Sequence, residues 1–132
     1  MDNYENLLSL AKKACENSYS PYSKFSVGAA VIYKSGKIYT GCNIENASYG
    51  LSLCAERCAI ASAISSGEKS QIEAIAIYSP NQKKCMPCGA CRQWFSEFST
   101  TEKIDIILED ENSNPLVLRL GDIFPYGFKF EK

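Results

Sequence analysis

The stretch from residue 72 to 79, IEAIAIYS, is mostly apolar on both of its alternating faces, the pattern of a strand at the buried centre of a sheet. The segments around it must therefore supply neighbours and cover. Residues 3–18 set Leu7, Leu8, Ala11, Ala14 and Cys15 at helical spacing, and Ser20-Pro21-Tyr22-Ser23 ends that run. Residues 27–33 and 37–42 are rich in β-formers and are parted by Ser35-Gly36, which predicts a hairpin. Residues 48–53 read as a loop around Gly50. The Ala-rich stretch 54–65, CAERCAIASAIS, predicts a helix closed by Gly67. Pro87, a residue suited to the first helical position, opens a second helix that runs to about Phe98. Residues 104–109 and 116–119 are two further strands. This order predicts a layered α/β sandwich with a mixed sheet. No repeat, low-complexity tract or Pro/Gly-rich linker divides the chain, so residues 1–132 are expected to form one domain, long enough to fold without disulfide staples.

Composition then narrows the chemistry. The chain has no histidine, which removes the commonest general base and the commonest metal ligand together. Acid–base work near neutral pH falls to a carboxylate, Cys, Lys or Tyr of tuned pKa, and a metal site must be built from thiolates and carboxylates. Fourteen Lys plus Arg against fifteen Asp plus Glu give a net charge of −1, without the basic excess that polynucleotide binding requires, so no nucleic-acid partner is expected. Asp2 and Glu5 stand where a secretory signal would carry basic residues, and no apolar run approaches the roughly 18 residues of a membrane span. A cytoplasmic protein with no membrane partner is the expectation. Seven cysteines, an odd number in a reducing compartment, then need a reason other than disulfides.

Two motifs supply that reason, each at a predicted helix start: Cys54-Ala55-Glu56 and Pro87-Cys88-Gly89-Ala90-Cys91. Cysteines three apart on a helix lie about 60° apart around its axis, close enough to share one ion. A helix N-terminus favours the thiolate that zinc needs. With Cys54 as a third sulfur the site keeps an open fourth position, the arrangement of catalytic zinc. Residues two apart in a regular helix point about 200° away from each other, so Cys54 must sit at the cap if Glu56 is also to face the metal. A structural four-thiolate site, with Cys58 or Cys85 as the added ligand, satisfies the same spacings. Glu56 favours the catalytic alternative, because a structural site has no use for a carboxylate beside its first ligand. Cys15 and Cys42 read as core filler.

In order along the chain, Pro21-Tyr22-Ser23-Lys24-Phe25, the run GCNIENASY from Gly41 to Tyr49, Cys54-Ala55-Glu56-Arg57 and PCGACRQ from Pro87 to Gln93 resemble the small homotetrameric zinc-dependent cytidine deaminases, over Tyr19 to Phe128. Zinc deaminases share a His-x-Glu and Pro-Cys-x-x-Cys signature, and here Cys54 stands in place of that histidine. The resemblance implies a three-layer αβα sandwich with a mixed five-stranded sheet and one zinc ion per subunit on Cys54, Cys88 and Cys91. It implies hydrolysis of free cytidine and 2′-deoxycytidine to uridine and 2′-deoxyuridine plus ammonia, in pyrimidine salvage, by a zinc-activated water with Glu56 as proton shuttle. It implies that Asn43 and Glu45 bind the ribose hydroxyls, that Phe25 packs on the nucleoside and that the Ala55 backbone meets the pyrimidine edge. Ala47, Tyr49 and Phe128 would complete a neighbouring subunit's site in a homotetramer.

Three thiolates and Zn²⁺ sum to −1, so a donor to the sulfurs is needed if bound water is to be acidic, and Arg57 is expected to fill that place. Cys85 and Met86 stand where small polar or aliphatic residues are more usual in the family, and Trp94 where a smaller aliphatic residue is.

Overall fold

The computed structural model describes residues 2–99 and 103–130. Its strands are β1 (Gly28–Tyr33), β2 (Ile38–Cys42), β3 (Ile72–Tyr78), β4 (Asp105–Glu109) and β5 (Pro115–Arg119); its helices are α1 (Asp2–Cys15), α2 (Ala55–Ser65), α3 (Gly89–Glu97) and the short α4 (Leu120–Ile123). The strands form one five-stranded sheet in the order β2-β1-β3-β4-β5. Only the β3–β4 pair is parallel, and it is joined through α3; every other pairing is antiparallel. The apolar segment at residues 72–79 thus lies at the sheet's middle position.

Alternation along the strands explains the layers. Ala30, Ala74, Ala76 and Ile107 face α1, where they meet Leu7, Leu8 and Ala11. Ala29, Val31, Ile75, Ile77, Ile106 and Leu108 face the other way and pack with Ala55, Ala59, Ile60 and Ala63 of α2 and Cys91 and Phe95 of α3. The result is the expected αβα sandwich. The α1 side is lined mainly by small residues because that helix presses close: a Cβ on Gly28 would lie 2.0 Å from the Ala11 carbonyl oxygen and 2.6 Å from the Cys15 nitrogen. The Ser35-Gly36 hairpin forms as predicted, with Gly36 at φ +91° and its N–H donating to the Tyr33 carbonyl at 2.8 Å.

Element boundaries differ from the pattern reading in four places. The first helix stops at Cys15, where three turn bonds from residues 16–18 close it. Residues 48–53 contain a short 3₁₀ turn, Tyr49–Leu51. α4 carries no periodic signal at four residues and was not anticipated. Pro87 does not open α3: Cys88 is the N-cap, with extended φ −69° and ψ 169°, because its sulfur accepts from the Cys91 N–H. Proline therefore precedes the cap.

Gly28→Ala is expected to cost about 1–3 kcal/mol, since the methyl group would force α1 off the sheet. A fall in the urea midpoint at unchanged m-value measures it.

Candidate metal centre

The direction of the chain brings two helix starts together. α2 runs back from the end at which β3 finishes, and α3 begins where β3 ends, so both N-termini lie at one edge of the sheet. Cys54 is the N-cap of α2, with φ −76° and ψ 152°, and Cys88 is the N-cap of α3. Neither residue has helical backbone geometry, so its side chain is free to turn across the helix end. Cys91 lies one turn further on and donates its N–H to Cys88 Sγ at 3.4 Å.

The three Sγ atoms lie within 4.8 Å of one another, with Cys54 and Cys88 3.9 Å apart. Sulfurs about 2.3 Å from a tetrahedral zinc would be separated by about 3.8 Å, so the spacing fits the metal. Among the described residues no fourth Cys, Asp or Glu ligand atom joins the cluster, and neither Cys58 nor Cys85 belongs to it. Among the described residues the four-thiolate alternative lacks its fourth sulfur.

Three close thiols cannot all ionise without a cation. A hydrogen bond from the Cys91 thiol, helped by Arg57, pulls Cys54 down to about 5. The same bond drives Cys91 upward, so the pair shares a proton. Arg57 Nη2 lies 3.5 Å from Cys54 Sγ and 3.5 Å from the Ser52 carbonyl oxygen, while its buried Nε has no hydrogen-bond partner. The guanidinium thus stands against the cluster.

Glu56 is 5% exposed. Burial pushes its carboxyl up to about 7, with the nearby Cys54 adding to the rise and its own backbone N–H opposing it. Because Cys54 has extended geometry at the cap, Glu56 shares the cluster's side of α2, as argued from the helical repeat. A carboxyl near 7 can both take and return a proton at neutral pH.

A cavity of about 470 Å³ opens over this edge, and its wall includes Cys54, Ala55, Glu56, Cys88, Phe25, Asn43 and Glu45. Phe25 is half-buried against the core. Asn43 is braced: its Oδ1 accepts from the Val27 N–H at 3.0 Å and its Nδ2 donates to the Phe25 carbonyl at 2.8 Å. Glu45 accepts from the backbone N–H groups of Tyr22 at 3.0 Å and Ser23 at 3.2 Å, and from the Ser23 hydroxyl. The Ser23 hydroxyl, with those N–H groups, holds the carboxyl below its ordinary pKa and keeps it charged.

Ala47 is exposed and is not part of this wall. Tyr49, 75% exposed, stands at the rim edge-on to Tyr22, with ring centroids 6.1 Å apart. Phe128, 70% exposed, lies outside the wall and is held through its backbone by Gln93. Ser23 and Cys85 are among the wall residues to which the sequence pattern assigns no site role. Ser23 belongs to the Pro21-Phe25 motif, where a short hydroxyl in a tight turn before an aromatic is the signal that could have found it. Cys85, whose spacing offers it as a fourth sulfur, is instead a buried part of the cavity wall, pushed up to about 11 by burial.

Residues 1–106 match the family model described as the cytidine and deoxycytidylate deaminase zinc-binding region. A cytidine deaminase of Halalkalibacterium halodurans is 48% identical over 125 residues, covering 95% of this chain and 93% of its own. One of Mycobacterium tuberculosis is 42% identical over 118 residues, 89% of this chain and 84% of its own. The crystal structure of a Burkholderia pseudomallei cytidine deaminase superposes with a TM-score of 0.86 at 41% identity, covering 94% of this chain and 98% of that one.

Replacing Cys88 by Ala should remove zinc from the purified protein, whereas Cys85→Ala should keep one zinc per chain. Metal content by atomic absorption reads both, and zinc loss from the Cys85 variant would return that thiol to the ligand set.

Proposed function

The chain belongs to the zinc-binding cytidine and deoxycytidylate deaminase family, and from its site we propose that it hydrolyses free cytidine and 2′-deoxycytidine to uridine and 2′-deoxyuridine, releasing ammonia. The observation that carries this reading is the buried carboxyl of Glu56, set beside three converging sulfurs in the wall of a cavity of small-molecule size. Zinc on Cys54, Cys88 and Cys91 would supply the Lewis acidity that makes an attacking water acidic enough to react near pH 7.

The remaining work falls to the chain's own groups. Glu56 takes a proton from the water as its oxygen bonds to C4 of the base, and passes that proton to N3, since the aromatic C4 is a poor electrophile until N3 is protonated. It then carries the second hydroxyl proton to the exocyclic nitrogen. The C4–N bond breaks, ammonia leaves and a carbonyl remains at C4. Ala55 is the first residue of α2, so its N–H has no intrahelical partner and is free to meet the pyrimidine edge. Glu45, kept ionised, accepts from the ribose hydroxyls beside Asn43, and Phe25 packs on the nucleoside. Arg57 offsets the negative charge of the sulfurs. The balanced net charge supports a free nucleoside over a polynucleotide.

The proposal extends to assembly and setting. The chain acts as a homotetramer in the cytoplasm, in pyrimidine salvage, with Ala47, Tyr49 and Phe128 reaching into neighbouring sites. The exposure of Tyr49 and Phe128 supports such contacts, and seven unpaired thiols suit a reducing compartment.

Loss of ultraviolet absorbance from cytidine and deoxycytidine tests the reaction. Glu56→Gln should retain zinc and lose activity by about 10²–10⁴-fold. Undiminished turnover by that variant, or no turnover of either nucleoside by the wild type, would end the proposal. Sedimentation velocity at assay concentration should give a tetramer, and a fully active monomer would refute the shared sites.

A further inference from the structure

Two adjacent side chains of α3 reach across to the last segment of the chain. Gln93 Nε2 donates to the Phe128 carbonyl at 2.9 Å, and its Oε1 accepts from the Phe128 N–H at 3.2 Å. Arg92 donates through Nε to the Pro87 carbonyl at 2.9 Å and through Nη1 to the Ile123 carbonyl at 2.5 Å. One helical turn beyond Gln93, the Ser96 carbonyl accepts from Lys129 Nζ at 3.3 Å. Among the described residues none after Ile123 lies in a helix or strand, so these bonds and one compact turn set the segment's course. In that turn Tyr126 has φ +61°, and a Cβ on Gly127 would lie 2.4 Å from the Phe124 ring.

A side-chain amide that offers both its donor and its acceptor to one backbone residue reproduces a rung of a β-ladder where there is no strand. Such a bond pair fixes the direction of the Cα–Cβ vector. Yet the Phe128 ring is 70% exposed, so the backbone is held without the ring being buried. A phenylalanine anchored for the sake of the fold would place its ring in the core. This one is presented outward by its main chain.

We infer that Gln93 is the positioning residue for Phe128, fixing the direction in which the ring is offered to the nucleoside site of a neighbouring copy. The inference rests on the proposed reading that Phe128 completes such a site. Its physical content is separate: recognition is through backbone atoms, and Gln93 sits on the helix that also carries Cys91, so the ring's direction is referenced to the metal end of its own subunit. Arg92 ties the start of that helix to the chain just before the turn.

Amide hydrogen exchange and steady-state kinetics on the zinc-loaded full chain test it. Gln93→Met removes both bonds at similar volume. It should speed exchange of the Phe128 N–H about tenfold and raise KM for cytidine about tenfold, with kcat within about twofold and zinc content unchanged. Gln93→Glu keeps the acceptor and loses the donor, so its exchange rate and KM should fall between. Adding Gln93→Met to Phe128→Ala should raise KM no further than Phe128→Ala alone, because the ring that Gln93 positions is already gone. An unchanged KM in zinc-replete Gln93→Met, or multiplying effects of the two substitutions, would overturn the inference. Should Gln93→Met fail to fold, the Glu variant decides: wild-type exchange and KM there would also overturn it. A wild-type protein inactive on cytidine would instead refute the nucleoside reading, while exchange at Phe128 would still decide whether Gln93 holds it.

Discussion

Three thiolates brought within bonding distance of one point, with a buried carboxyl alongside, repel one another unless a cation or shared protons offset their charge. The rest of the structure is arranged around that requirement. The closeness of the sulfurs couples Cys54 and Cys91, the first pulled down by the hydrogen bond between them and the second driven up. Two helix N-termini and the Arg57 guanidinium face the cluster and favour its negative charge. A dication held by the three sulfurs would offset most of that charge. Glu56 is affected from the same side, because burial and the neighbouring thiolate both favour its protonated form.

The sheet supplies the rigidity this needs. Placing β3 in the centre, flanked by β1 and β4, sets α2 and α3 side by side on one face with their starts at one edge. Close packing elsewhere keeps them there: Gly41 brings β2 so near α2 that a Cβ would lie 2.5 Å from the Ala59 nitrogen. Sites built on packed elements hold their geometry better than sites on free loops. Here two of the clustered cysteines are helix caps and the third lies in a first turn, so all three are carried by packed helices.

The polar wall follows the same economy. Asn43 and Glu45 each brace the segment that carries Phe25 while also facing the cavity. Their positions are set by backbone bonds before any ligand arrives, which lowers the entropy lost on binding. Glu45 spends three hydrogen bonds on the turn at residues 22–23 and still has capacity left, since a carboxylate has about four acceptor sites.

Local chemistry determined much of this in advance. Absence of histidine restricted a metal site to thiolates and carboxylates. The Cys-x-Glu spacing required Cys54 at a cap if Glu56 was to share its side, and the apolar run at residues 72–79 demanded a central strand; both follow from periodicities that span a few residues. Helix cores were legible for the same reason, and their ends were not. Pro87 falls outside α3 because a sulfur–amide contact from Cys88 outcompetes proline's preference, and α4 is too short to have a period. What only the tertiary structure decided is which cysteines meet. Cys58 and Cys85 satisfy the ligand spacing as well as Cys54, Cys88 and Cys91 do, yet only the last three sulfurs cluster among the described residues. Spacing along a chain constrains neighbours on one element. Convergence between elements depends on strand order and packing, and no local pattern encodes either.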